Sequence, residues 1–307
     1  MPPRKAGPGA LRPARAVRRR TVEDGDSPAS MIEATVEIEE VQLASFNPAT
    51  NILIHGPSGH GKTVLAGGAY ASSYVDNIVF LSTELEGAVS AKVTGSQARL
   101  WPAPTWEHAV AGVRKAVNEL GDRDWLVCDS GTKMQELYMR WILAKVNAKN
   151  PHRDLDIPDV REHQKYQNGF KRWYDTIINA RFNSIFITQS MTVEDAEGES
   201  RVIPLLLGKK GEISDYCSGQ AGVGIYYSVS RESREEEATG DAIIRRALFQ
   251  PYPPWWAKDR YDALGFSRDV ESGDYTAMAR MIDDIERVKE KSRRTSQSRR
   301  TVRRVAR

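Results

Sequence analysis

The sequence predicts an α/β domain built on a largely parallel sheet. Three observations carry that prediction: short apolar runs recur along the chain, stretches with apolar residues at three-to-four spacing lie between them, and a glycine-rich turn joins the first core run to the first such stretch. The chain has 307 residues, 40% hydrophobic and 28% charged, which is enough for one large core or two small ones. No apolar run approaches the ~18 residues of a membrane-spanning helix, so no membrane partner is expected. Two cysteines, Cys128 and Cys217, make neither a disulfide framework nor a four-cysteine metal site, which suits a reducing, cytoplasmic setting.

Taken in order, residues 1–33 read as a disordered basic tail, because Pro, Gly, Ala and Arg dominate them. Pro2, Pro3, Pro8 and Pro13 also break the amphipathic helix that an organelle-targeting peptide needs. Residues 34–265 form the predicted core. Its strand-like runs are Thr35–Ile38, Asn51–His55, Ile78–Leu81, Leu126–Asp129, Ser184–Thr188, Gly224–Val229 and Ala247–Gln250. Helices are expected over Lys62–Ala71, over Thr105–Leu120 with Thr105 as N-cap, over Met134–Ala148 and over Gly169–Arg181. The polar window Lys149–Asn168, with Pro151 and Pro158, reads as an inserted loop or a short charged helix. Residues 266–290 form a C-terminal helical segment. Its apolar face, Met278, Met281, Ile282, Ile285 and Val288, either packs on its own domain or meets another subunit. Residues 291–307 are expected to run out as a basic disordered tail.

Charge is unevenly spread. Residues 1–30 hold seven Lys or Arg against three acids, and residues 288–307 hold nine against Glu290 alone, so the net charge of +3 conceals an acidic body. Such ends suit a polyanion such as nucleic acid, or serve only to keep the chain soluble.

The strongest local signal is GPSGHGKT: Gly56, Pro57, Ser58, Gly59, His60, Gly61, Lys62 and Thr63. It fits the phosphate-loop pattern throughout, with an apolar strand before it and a helical stretch after it. The glycines let backbone amides close round a phosphate, and Lys62 adds a point charge at the β- and γ-phosphates. The Thr63 hydroxyl is suited to Mg²⁺, and Asp129, ending the buried run WLVCDS, supplies the carboxylate for the same ion. ATP and Mg²⁺ are therefore the expected ligands. His60 reads as a variable position of the loop.

Three further segments narrow the class. IVFLSTE ends in Glu84, positioned as a catalytic base, with Glu86 as the alternative. SIFITQ ends in Gln189, where an amide can sense the γ-phosphate. WAKDR carries Lys258 and Arg260 on one side of an extended segment. Trp255 and Trp256, just before it, either pack or stack on adenine.

In order and spacing, GPSGHGKT, FLSTE, WLVCDS, FITQS and WAKDR resemble the RecA-like P-loop NTPase core, and most of all the phage-encoded nucleotide-binding proteins of the Sak-type single-strand annealing group. The resemblance spans about residues 50–262. It implies catalytic roles for Lys62, Glu84, Asp129 and Gln189, and makes Lys258 and Arg260 a finger inserted into a neighbour's ATP site. Asp262, preceded by Tyr261, departs from the small residue expected after that element. The resemblance also implies a homo-oligomer, ring or filament, that binds single-stranded DNA through the loop after Gln189 and works beside a phage single-strand-binding protein in a bacterial cytoplasm. Met191–Gly222 is that loop, with Arg201, Lys209 and Lys210 as candidate DNA contacts. The expected function is Mg-ATP hydrolysis in phage-type DNA recombination, annealing or repair. The alternatives are a DNA-translocating motor (helicase or packaging ATPase), a nucleotide-gated DNA-binding scaffold that does not hydrolyse, and a small-molecule kinase, for which no Arg-rich lid is visible.

Overall fold

A computed structural model describes residues 46–150, 152, 157–194, 198–208, 211–229 and 243–305. The run Thr35–Ile38, the rest of the N-terminal tail, and Lys209 and Lys210 lie outside the described residues.

The strands are β1 (Asn51–His55), β2 (Asn77–Ser82), β3 (Arg99–Pro102), β4 (Asp124–Asp129), β5 (Asn183–Ile187), β6 (Ser190–Glu194), β7 (Ser200–Pro204), β8 (Val223–Val229), β9 (Arg245–Leu248), β10 (Lys258–Asp259) and β11 (Ser267–Val270). The helices are α1 (Lys62–Gly67), α2 (Leu85–Val89), α3 (Trp106–Glu119), α4 (Gly131–Lys149), α5 (Val160–Ile178), α6 (Glu212–Gln220) and α7 (Ala277–Val305). Among the described residues nine strands form one sheet in the order β11-β9-β8-β1-β5-β4-β2-β3, with β10 also paired to β8. The run from β8 to β3 is parallel, while β9, β10 and β11 are antiparallel. β6 and β7 form a separate hairpin.

The inner parallel strands β1, β2, β4 and β5 are buried on both faces, which is why each reads as a continuous apolar run. Leu53, Leu81, Cys128 and Phe186 face the layer that holds α3, α4, α5 and α6. Ile54, Phe80, Val127 and Ile187 face α1 and α7. The phosphate-loop strand β1 and the Asp129 strand β4 are held apart by β5, so three strand ends converge on one edge. Cys128 and Cys217 are free and buried, and burial pushes both thiols well above the ordinary cysteine range.

Several expectations are corrected here. Of the two readings of the window Lys149–Asn168, the helix holds for its second half, where α5 starts at Val160. Asp159 caps it, accepting from the Glu162 amide while the Glu162 carboxylate returns to the Asp159 amide. Tyr166 and Phe170 turn the inner side of this polar-looking helix into the core. Met191–Gly222 is not an open loop but the β6–β7 hairpin followed by α6. α7 buries Met278, Met281, Ile282 and Ile285 on its own domain and is helical to Val305. No helix of the described residues is long and apolar enough to cross a membrane.

Candidate nucleotide site

The site is built at the carboxyl ends of β1, β5, β4 and β2. The chain leaves β1 at Gly56, packed so closely on β8 that a Cβ there would lie 1.9 Å from the Tyr227 carbonyl oxygen. Only glycine fits this approach. Gly61 opens α1 in the left-handed conformation, with φ of 90°. His60 secures the crown of the loop: its Nδ1 accepts from the Val229 amide at 3.0 Å, and its carbonyl accepts from Arg245 Nε at 2.9 Å.

Lys62 turns inward. Its Nζ donates to the carbonyls of Gly56 at 2.8 Å and Pro57 at 2.7 Å. Burial lowers its pKa to about 8, against the opposing pull of Asp129. The Thr63 hydroxyl donates to Asp129 Oδ2 at 2.8 Å. Burial raises the Asp129 pKa, and the charge of Glu84 adds to the rise. The Thr63 hydrogen bond and Lys62 act the other way. A hydroxyl and a carboxylate this close, beside a buried ammonium, fit a divalent cation that takes its remaining ligands from phosphates and water. Among the described residues no cluster of three or more His, Cys, Asp or Glu is placed to hold a metal by itself.

Glu84 stands two residues beyond Ser82, the partner of Asp129 in the β2–β4 ladder. The Ser82 hydroxyl pins this turn, donating to the Glu84 carbonyl at 2.9 Å and accepting from the Glu84 amide at 3.2 Å. The Glu84 side chain is exposed, and it is Glu84 rather than Glu86 whose charge acts on Asp129. Gln189 follows β5, so it emerges between the phosphate loop and Asp129. Its amide donates to Thr132 Oγ1 at 3.1 Å, and its carbonyl accepts from the Leu205 amide at 2.7 Å.

Lys258 and Arg260 do not join this group. β10 pairs with the first residues of β8, at the opposite end of the sheet. There Lys258 Nζ donates to the Ser218 and Gly219 carbonyls at 3.2 and 2.8 Å, and Arg260 donates to the Gly219 carbonyl at 3.1 Å. These carbonyls belong to the last turn of α6. Of the candidate DNA contacts only Arg201 is described. It lies on β7 and pairs with Asp215 of α6 at 3.2 Å. Trp256 packs over Gly224, while Trp255 stacks between Tyr226 and Tyr252.

Sequence reasoning missed Arg245. Its side chain reaches from β9 to the loop, where a Cβ on Gly61 would lie 3.1 Å from Arg245 Nε. A cleft of about 170 Å³ opens beside it, walled by Gly61, Val64, Tyr227 and the turn Glu271–Tyr275. Thr132, Gln135 and His55 were also passed over, because a lone polar residue in an apolar pattern carries no signal until the fold places it.

A family model described as an AAA domain (AAA_24) matches residues 49–261. The chain belongs to this AAA domain family. The match takes in the phosphate loop, Glu84, Asp129, Gln189 and β10. No curated protein matches the sequence. Among solved structures, the AAA domain is similar to the RadB recombinase, at 13% identity and a TM-score of 0.41 over 74% of this chain and 88% of that one. It is similar also to a DnaB-like replicative helicase, at 11% identity and a TM-score of 0.39 over 72% of this chain and 56% of that one.

Proposed function

We propose that this AAA domain is a Mg-ATP hydrolase whose turnover is coupled to single-stranded DNA, in recombination, annealing or repair of the phage type, and that it works as a homo-oligomer. The observation that carries the ATPase reading is the Thr63–Asp129 contact of 2.8 Å beside the buried amine of Lys62, with Glu84 and Gln189 on the flanking strand ends.

The residues divide the work as follows. The loop amides and Lys62 bind the phosphates, Lys62 exchanging the Gly56 and Pro57 carbonyls for phosphate oxygens. Thr63 and Asp129 would hold Mg²⁺, which would supply positive charge against the phosphates. Glu84 takes a proton from water as its oxygen attacks the γ-phosphorus and the bond to the ADP oxygen breaks. The Gln189 side-chain amide hydrogen-bonds the γ-phosphate and reports its loss through the residue's backbone. The cleft beside Arg245 receives the nucleoside.

Support for the DNA part comes from the basic ends of the chain and from the attachment of Gln189 to the β6–β7 hairpin. The test is Mg-ATP hydrolysis with and without single-stranded DNA, with Lys62→Ala as the blank. Stimulation by DNA that vanishes in the blank is the expected result. Turnover indifferent to DNA would leave the ATPase standing and remove the DNA role.

A further inference from the structure

His55 ends β1, immediately before Gly56, and is wholly buried. Its Nδ1 lies 3.0 Å from Ser190 Oγ and its Nε2 lies 2.8 Å from the Trp256 carbonyl oxygen. A carbonyl oxygen only accepts, so Nε2 carries the proton. Burial lowers the imidazole pKa to about 4, so the ring is neutral at pH 7 and Nδ1 accepts from the Ser190 hydroxyl. Tautomer and partners are thereby fixed.

Those partners are the root of the β6–β7 hairpin. Ser190 is the first residue of β6. Trp256 is tied to β7, since its amide donates to the Val202 carbonyl at 2.9 Å and the Val202 amide donates to the Pro254 carbonyl at 2.7 Å. From the other side α4 holds the same root. Thr132 Oγ1 donates to the Leu205 carbonyl at 2.9 Å while accepting from the Gln189 amide, and Gln135 bonds both the carbonyl and the amide of Leu207. The hairpin thus hangs between the helix after Asp129 and the strand before Gly56.

We infer that His55 is a positioning residue that passes the state of the phosphate loop to the β6–β7 hairpin. The inference rests on the nucleotide-binding reading above. The Gly56 carbonyl, one of the two on which Lys62 lies, belongs to the residue that follows His55. When Lys62 moves to phosphate, the Gly56–Pro57 peptide, one peptide beyond His55, loses that bond. β1 is paired on both sides, and the two imidazole hydrogen bonds of His55 are its side-chain link from that strand to the hairpin. Without it the hairpin keeps its tethers to α4 but no longer follows the loop.

The experiment measures amide hydrogen exchange across residues 190–204 in the full chain, with and without a slowly hydrolysed ATP analogue plus Mg²⁺, alongside a direct titration of analogue affinity. In the wild type the analogue slows exchange in the hairpin by about tenfold. In His55→Leu the analogue still binds, within about fivefold of wild-type affinity, but the hairpin keeps only the part of its response that the Gln189 backbone carries. Ser190→Ala loses part of the response. His55→Gln, which keeps one donor and one acceptor, restores it. A His55→Leu hairpin that responds like the wild type overturns the inference. So does a wild-type hairpin that ignores bound analogue, and in that case the nucleotide site still stands. If the wild type binds no analogue, the nucleotide site itself falls and the relay with it. Should His55→Leu fail to fold, Ser190→Ala decides: a full response in that variant overturns the inference.

Discussion

Two lysines in this AAA domain each lie across a pair of backbone carbonyls, at opposite ends of the sheet. Lys62 bonds Gly56 and Pro57, and Lys258 bonds Ser218 and Gly219. The contacts look alike, and the surroundings separate them. The carbonyls under Lys258 are orphan acceptors at the end of α6, where a cation offsets the negative end of the helix. Arg260 shares that task. The carbonyls under Lys62 belong to a tight turn, and Asp129 and Thr63 complete a polar pocket beside them. A cation that caps a helix is spent on the fold, whereas one buried next to a carboxylate and a hydroxyl is held ready for a ligand.

The comparison can be broken from either end. The largest effect is expected at Lys62→Ala, where phosphate release falls on the order of 10²–10³-fold while the melting temperature holds. A variant that keeps its turnover would dissolve the distinction. Gly56→Ala comes next. Its methyl would meet the Tyr227 carbonyl, so a loss of about 1–3 kcal/mol is expected in thermal unfolding, together with lost nucleotide binding.

A subtler effect concerns pH. A polyphosphate binds the protonated form of Lys62, and in the free protein that amine titrates at about 8. Binding then takes up a proton above that value, so affinity falls as pH rises through 8, by at most about tenfold per unit. Lys62→Arg, whose side chain does not titrate there, is expected to flatten that slope in a titration from pH 7 to 9. The smallest effect belongs to the other end. Lys258→Ala or Arg260→Ala is expected to lower stability by about 0.5–1 kcal/mol in urea unfolding, the usual worth of a cation at a helix end. A fall in turnover out of proportion to that loss, restored by mixing in Lys62→Ala chains, would give the pair a second task across a subunit boundary.

The sequence shows some of this plainly and hides the rest for physical reasons. The phosphate loop is legible because its chemistry is local: eight consecutive residues make the turn. Asp129 is legible because its buried run follows the phosphate loop with a strand and a helix between; a strand ending in an acid is common by itself. The first half of α5 is hidden because it buries only a narrow stripe, Glu162, Tyr166 and Gly169 among exposed polar residues. The hairpin is hidden for a similar reason, since β6 lies outside the main sheet and no residue of it is fully buried. Arg245 reaches the phosphate loop from 185 positions away, a distance no local pattern reports. Lys258 and Arg260 show the converse, for their spacing suggests a shared direction and leaves open what lies there.

The burial of both cysteines has a practical consequence. With Cys128 and Cys217 sealed in the core and their thiols kept protonated, the folded surface offers no native thiol to a maleimide. One thiol introduced on the outer face of β6 would therefore carry a fluorophore alone, and the opening and closing of this part of the molecule could be followed in solution without removing either native residue.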